Sequence, residues 1–187
     1  ILINRNGKRF VNELTTRDKA SQAVLAQPGG SAFLVFDSVI HKSLKQIDGY
    51  FELGLVKEGA TLAELAQAMG APADALAQSL DTYNKAFEAK KDAEFGRADL
   101  PRAIRTPKFY AIEIKPGIHY TMGGLQINAE TQVIGKHGQP IPGFYAAGEV
   151  TVGLHGANRL GGNSISETIT FGRIAGASAL KAVKDSK

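Results

Sequence analysis

A strand ending in Tyr145-Ala146-Ala147-Gly148-Glu149, a glycine-rich stretch from Gly153 to Gly162, and a helix start near Ser164 constrain this chain more than any other feature. In that order, small residues let a ligand reach the main chain. The helix N-terminus offers free N–H groups and a positive dipole end, and a carboxylate at a strand end can accept hydrogen bonds from a ribose. A tight turn packing a helix on a sheet would also account for the glycines. It leaves Asn158, Arg159 and Asn163 in the same loop unexplained. Arg159 carries the side chain suited to gripping a carboxylate with two parallel hydrogen bonds. His119, forty positions earlier at the end of another expected strand, could hold the same anion.

Composition excludes several alternatives. The chain has 187 residues, 43% hydrophobic, with 21 Gly and no Cys. It is therefore long enough for one large domain or two small ones, and it is not disordered or stapled by disulfides. Zero Cys rules out thiolate catalysis and Cys-ligated zinc or iron–sulfur centres. The four His (41, 119, 137, 155) have no metal-ligand spacing, so no metal is expected. No apolar run reaches the roughly 18 residues of a membrane helix, and no signal peptide is recognisable in these residues. The formal charge is 22 − 18 = +4, which suits a small anion as well as nucleic acid. The Lys and Arg are dispersed with no aromatic stacking platform, which disfavours nucleic acid.

The chain reads as α+β. Ile1–Ile3, Asn4-Arg5-Asn6-Gly7 and Lys8–Val11 form an expected hairpin, with Asn-Gly supplying the turn. Opening inside a hairpin suggests the C-terminal part of something longer. A helix is expected over 16–27, with Thr16 as its cap, and Ser31–Phe36 reads as a buried strand. Thr61-Leu62-Ala63-Glu64 is a capping box for a helix ending near Gly70. Pro72 begins a longer helix to about Lys90, with apolar residues at 76, 80, 83 and 87. The polar stretch 92–107 suggests a boundary. After it, strands are expected at 109–114, 124–127, 132–134 and 144–147, then a final helix over 164–183.

Two further segments are candidates for chemistry. Asn12 to Lys19 is a dense polar run that reads as a capped, solvated helix start, or as a site presenting Arg17 or Asp18. In Gly117-Ile118-His119-Tyr120-Thr121-Met122-Gly123-Gly124, the His beside a Tyr reads as a hydrogen-bonded packing residue or as a ligand. The double Gly suggests a backbone approached closely by something else.

Taken together, Thr15-Thr16-Arg17-Asp18, His119-Tyr120-Thr121-Met122-Gly123-Gly124, Ala147-Gly148-Glu149 and His155 to Asn163 resemble the fumarate reductase/succinate dehydrogenase flavoprotein family, in particular its soluble, periplasmic flavocytochrome c type. The resemblance covers nearly the whole chain. It implies that 1–107 is mainly a mobile clamp (capping) domain and that 108–187 is the returning C-terminal part of an FAD-binding domain. It implies a catalytic, proton-donating Arg17, substrate carboxylates bound by His119, Arg159 and Gly162, and FAD contacted by Glu149, Ser164 and Ile165. It also implies a dicarboxylate substrate (fumarate or succinate), an electron donor outside the chain such as a haem domain or cytochrome, and a periplasmic location. The family's dinucleotide fingerprint, the partners that resupply the proton, and another substrate-binding His and Thr are missing, as is any haem attachment motif. The segment alone is therefore expected to bind FAD weakly and not to turn over. Two other readings stay open. One is a reductase of another enoate, urocanate or an acrylate derivative. The other is a non-catalytic module that binds anions or partners.

Overall fold

The computed structural model describes residues 1–186 and divides into two compact units, Ile1–Gly117 and Ile118 onward. The first unit runs β1 (Leu2–Ile3), α1 (Arg17–Leu25), β2 (Ala32–Asp37), α2 (Ser38–Ser43), α3 (Gln46–Glu52), β3 (Val56–Gly59), α4 (Leu62–Met69), α5 (Ala73–Glu88) and β4 (Phe109–Ile114). Its antiparallel sheet has the order β1-β2-β4-β3, with Val35 opposite Ala111 and Lys57 opposite the same residue on the other side.

The two inner strands are mostly apolar, Asp37 and Glu113 excepted, because residues on both sheet faces are packed against helices. Alternate residues Phe33, Val35, Phe109 and Ala111 face Leu65, Leu76, Leu80 and Tyr83 from α4 and α5. The residues between them, Phe36, Tyr110 and Ile112, pack with Ile47 of α3. The expected strand at 109–114 is present with those bounds, and the 31–36 run is displaced by one residue. The capping box forms as read. Thr61 Oγ1 accepts from the Glu64 N–H at 3.2 Å, Glu64 Oε2 accepts from the Ala60 N–H at 3.0 Å, and Gly70 closes α4 at φ 69°. The opening hairpin is reduced to a turn and one bridge, Ile3 to Arg9. Thr16 sits at the N-cap of α1 without capping it through its side chain.

The polar stretch 92–107 is not a break in the fold. Asp92 is buried and paired with Arg9 at 2.8 Å, and Ile104 joins the main core. The chain then returns as β4, the inner strand of the first sheet, so the compact division falls after Gly117 rather than at 107. Two buried charged groups organise this region. The Asp37 carboxylate, 1% exposed, accepts from the N–H groups of Val39, Ile40, Arg105 and Thr106 at 3.0–3.2 Å, which caps α2 and anchors the returning strand. Arg9 donates to both oxygens of Glu13 at 2.9 and 2.8 Å, and its guanidinium lies over the Phe95 ring at 4.8 Å.

The second unit contains β5 (Leu125–Gln126), β6 (Gln132–Ile134), β7 (Pro140–Tyr145), β8 (Thr151–Val152) and α6 (Asn163–Asp185). β5 pairs parallel with β8, and β6 pairs antiparallel with β7. The expected strand at 144–147 lies earlier, at 140–145, despite its two prolines. Among the described residues no helix is long and apolar enough to cross a membrane.

Two stability predictions follow from the buried charges. Asp37→Ala strands four N–H donors and should lower unfolding free energy by about 3 kcal/mol in a urea titration; a loss under about 1 kcal/mol contradicts this account. For Glu13, burial pushes the carboxyl up, but hydrogen bonds and charge from Arg9 bring it down to about 2. A lowered folded value stabilises above the ordinary carboxylate range and loses that contribution as pH falls toward 2. Between pH 6 and pH 2.5 the chain should therefore lose on the order of 2 kcal/mol that Glu13→Gln no longer titrates, as read by denaturant midpoints across pH.

Candidate functional site

The glycine-rich loop between β8 and α6 has little internal packing to fix it. A Cβ at Gly153, Gly156 or Gly162 would meet nothing within 4 Å, so these glycines are not demanded by close approach of the chain itself. Gly162 occupies the N-cap of α6 at φ 84°, no side chain caps that end, and the first turn carries no acidic residue. The helix start thus keeps its positive end toward an anion, although the Asn163 and Ile165 N–H groups turn back to the Leu160 and Gly162 carbonyls at 3.3 and 3.1 Å.

Arg159 is the unusual member of this loop. It is 7% exposed, yet among the described residues its one hydrogen bond is from Nη1 to the neighbouring Leu160 carbonyl at 3.1 Å, and its Nε is buried without a hydrogen-bond partner. The guanidinium lies over the Tyr120 ring, 4.5 Å from its centroid. Buried polar groups are normally satisfied, and a guanidinium has five N–H donors. This cation is short of acceptors.

His119, Glu149, Ser164 and Ile165 line one cavity of about 360 Å³, together with Tyr120, Thr168 and Ile169. Four of the residues singled out from the sequence are therefore brought together. Arg159 and Gly162 are not among the lining residues. Arg159 reaches the cavity wall through the Tyr120 ring. Arg17 belongs to the first unit, where it is the exposed first residue of α1.

Glu149 is exposed at the cavity. Its Oε1 accepts from the Thr121 N–H at 3.0 Å, and the Thr121 hydroxyl donates to the Glu149 carbonyl at 3.2 Å. The double Gly is explained inside the chain: a Cβ on Gly124 would lie 1.9 Å from the Val150 carbonyl oxygen, where β5 and β8 pair. The close approach is by the protein's own backbone.

The sequence reading missed the group beneath this site. Glu167, on α6, is 5% exposed; its Oε2 accepts from the Tyr120 hydroxyl at 2.7 Å and its Oε1 lies 3.4 Å from Thr151 Oγ1. His155 Nε2 is 3.5 Å from Glu167 Oε2, close enough for charge interaction but with no hydrogen bond formed. The hydrogen bond to Glu167, then burial, pushes the Tyr120 phenol up to about 12. The signal was present, a carboxylate one turn into a helix whose first half carries no other charge before Arg173. Ser164-x-x-Glu167 imitates a capping box, which hides it.

The residues present fit a flavin dinucleotide. Ser164 and Ile165 offer main chain at an uncapped helix start, Glu149 offers a carboxylate, and the loop glycines leave the backbone open. Comparison with known proteins agrees. A family model described as FAD binding domain matches residues 1–165. The chain is 52% identical over 181 residues to a fumarate reductase (cytochrome) of Shewanella frigidimarina, covering 97% of this chain and 32% of the relative. It is 39% identical to an NADH:acrylate oxidoreductase of Vibrio harveyi, covering 96% of this chain and 18% of that protein. The structure of the open conformation of a flavocytochrome c3 fumarate reductase superposes with a TM-score of 0.80 at 46% identity, covering 97% of this chain and 32% of that one. The chain thus spans about a third of the length, or less, of the relatives it matches. On the match over residues 1–165, the chain belongs to the FAD binding domain family, and in sequence and fold it is similar to fumarate reductase flavoproteins.

Proposed function

We propose that this chain provides one part of the active site of an FAD-dependent fumarate reductase, an oxidoreductase acting on a CH–CH bond. The observation that carries the proposal is Arg159, a buried guanidinium with one near-neighbour acceptor and an unpartnered Nε, beside a cavity that His119 lines. A small dicarboxylate supplies what that cation lacks. In this reading His119 and Arg159 hold the substrate carboxylates, with Gly162 alongside. Glu149 holds the FAD ribose, and the main chain at Ser164 and Ile165 lies against the flavin. The clamp role goes to the first compact unit, taken to Gly117 because β4 is an inner strand of its sheet.

FAD, when bound and reduced, supplies the hydride that adds to one alkene carbon. Arg17 then serves the other carbon. Its permanent charge stabilises the negative charge building there, and it gives up a proton to form the second C–H bond. A guanidinium is a poor acid at a pKa above about 12, but the developing carbanion is a far stronger base. Gripping both carboxylates fixes the alkene in one orientation before reaction. Arg17 regains its proton from groups outside these residues, and the electrons come from a donor outside them, such as a haem domain or cytochrome. A periplasmic location accompanies the likeness to the flavocytochrome type.

The match to the acrylate oxidoreductase favours one second reading, a different enoate on the same machinery. Two carboxylate-binding groups, His119 and Arg159, argue for the diacid. Turnover of fumarate, urocanate and acrylate side by side separates these readings.

In the flavin-loaded full-length protein, Arg17→Ala should lower kcat for fumarate reduction by about 10³-fold with flavin content unchanged. Near-normal turnover in that variant contradicts the assignment.

A further inference from the structure

We infer that Tyr120 and Glu167 form a positioning pair that aims the Arg159 guanidinium, a role that rests on the reading of Arg159 as a carboxylate ligand. The loop carrying Arg159 gives it almost nothing to lean on. Its single hydrogen bond is to the carbonyl of the next residue, which moves with it. The Tyr120 ring at 4.5 Å is the surface that holds the guanidinium plane. That ring is itself tethered. The hydroxyl donates to Glu167 Oε2 at 2.7 Å, and His155 packs edge-on against the ring at 5.6 Å.

Glu167 is well placed to be the fixed point. It sits on the 23-residue helix α6, is 5% exposed, and its other oxygen lies 3.4 Å from Thr151 Oγ1 on β8, whose hydroxyl donates to the Gly148 carbonyl at 2.8 Å. The pair therefore links three segments: the irregular 119–124 stretch bearing His119, the loop bearing Arg159, and the helix α6. A hydrogen bond to a carboxylate also makes the phenol ring more electron-rich, which strengthens its hold on a cation. Glu167 makes no hydrogen bond to Arg159 among the described residues, so it acts through Tyr120 and leaves the guanidinium N–H groups for an incoming anion.

The test is a double-mutant cycle read by calorimetric titration of succinate into the flavin-loaded full-length protein. Glu167→Gln and Tyr120→Phe should each weaken succinate binding about tenfold, with flavin content unchanged. In an Arg159→Ala background the same two changes should cost less than about twofold, because the residue they act through is gone. The inference is overturned if both single variants bind succinate normally, or if their full penalty persists without Arg159. If Glu167→Gln does not fold, Tyr120→Phe, which removes one hydroxyl and keeps the ring, carries the test alone. Normal succinate binding by Arg159→Ala sinks the fumarate reductase reading as well, whereas weak binding there with normal Tyr120→Phe and Glu167→Gln sinks only the positioning role.

Discussion

A guanidinium removed from water must recover several kcal/mol of lost hydration from its surroundings, and at Arg159 the protein supplies one carbonyl and the face of one ring. That shortfall organises the rest of the second unit. The loop around it is glycine-rich and open, the helix that follows starts without a side-chain cap, and the buried Glu167 carboxylate is committed to the Tyr120 hydroxyl. Each feature leaves positive potential where a bound anion would be stabilised and withholds the negative group that would quench it.

The first unit shows what the same side chain looks like when nothing is left over. Arg9 is as buried as Arg159, at 6% exposure, yet it meets both oxygens of Glu13, one oxygen of Asp92 and the ring of Phe95. Arg97 adds a second cation to Glu13 at 3.1 Å. Burial and charge alone therefore do not mark a functional arginine; the inventory of its acceptors does. Arg9 ties the opening turn to the 92–97 segment, and that tie is what makes a polar stretch part of the fold.

Much of this was legible in the sequence wherever one force dominates locally. β2 and β4 announced themselves because helices pack on both faces of their sheet and apolar residues dominate their runs. α4 and α5 carried a capping box and a three-four spacing. The helices α2 and α3, six and seven residues long, were not foreseen, since α2 depends on an Asp37 carboxylate that also serves residues seventy positions away. Polarity in the 92–107 stretch does not only serve solvent, since Asp92 pairs with the buried Arg9. Glycine at 124 pointed to a close approach, but not to Val150 as the group approaching. For the site, motifs and the family resemblance they carry pointed to His119, Glu149, Ser164 and Ile165, which share a cavity, and could not identify Glu167, whose place appears only when a helix turns it toward Tyr120.

Residues 119–124 show how such a site acquires a fixed shape without regular secondary structure. Tyr120 is held by Glu167, Thr121 is held through its N–H and hydroxyl by Glu149, and Gly124 leads into a strand whose first N–H donates to the Val150 carbonyl at 2.8 Å. Met122, between these ties, takes a left-handed φ of 51°, a conformation that costs a non-glycine residue free energy and persists only where its neighbours are pinned. The two acids that pin it lie on different segments, one before the glycine-rich loop and one after it. The wall bearing His119 is therefore set by the same frame that carries Arg159, and a ligand meeting both would find their spacing already fixed, with less conformational entropy to lose on binding.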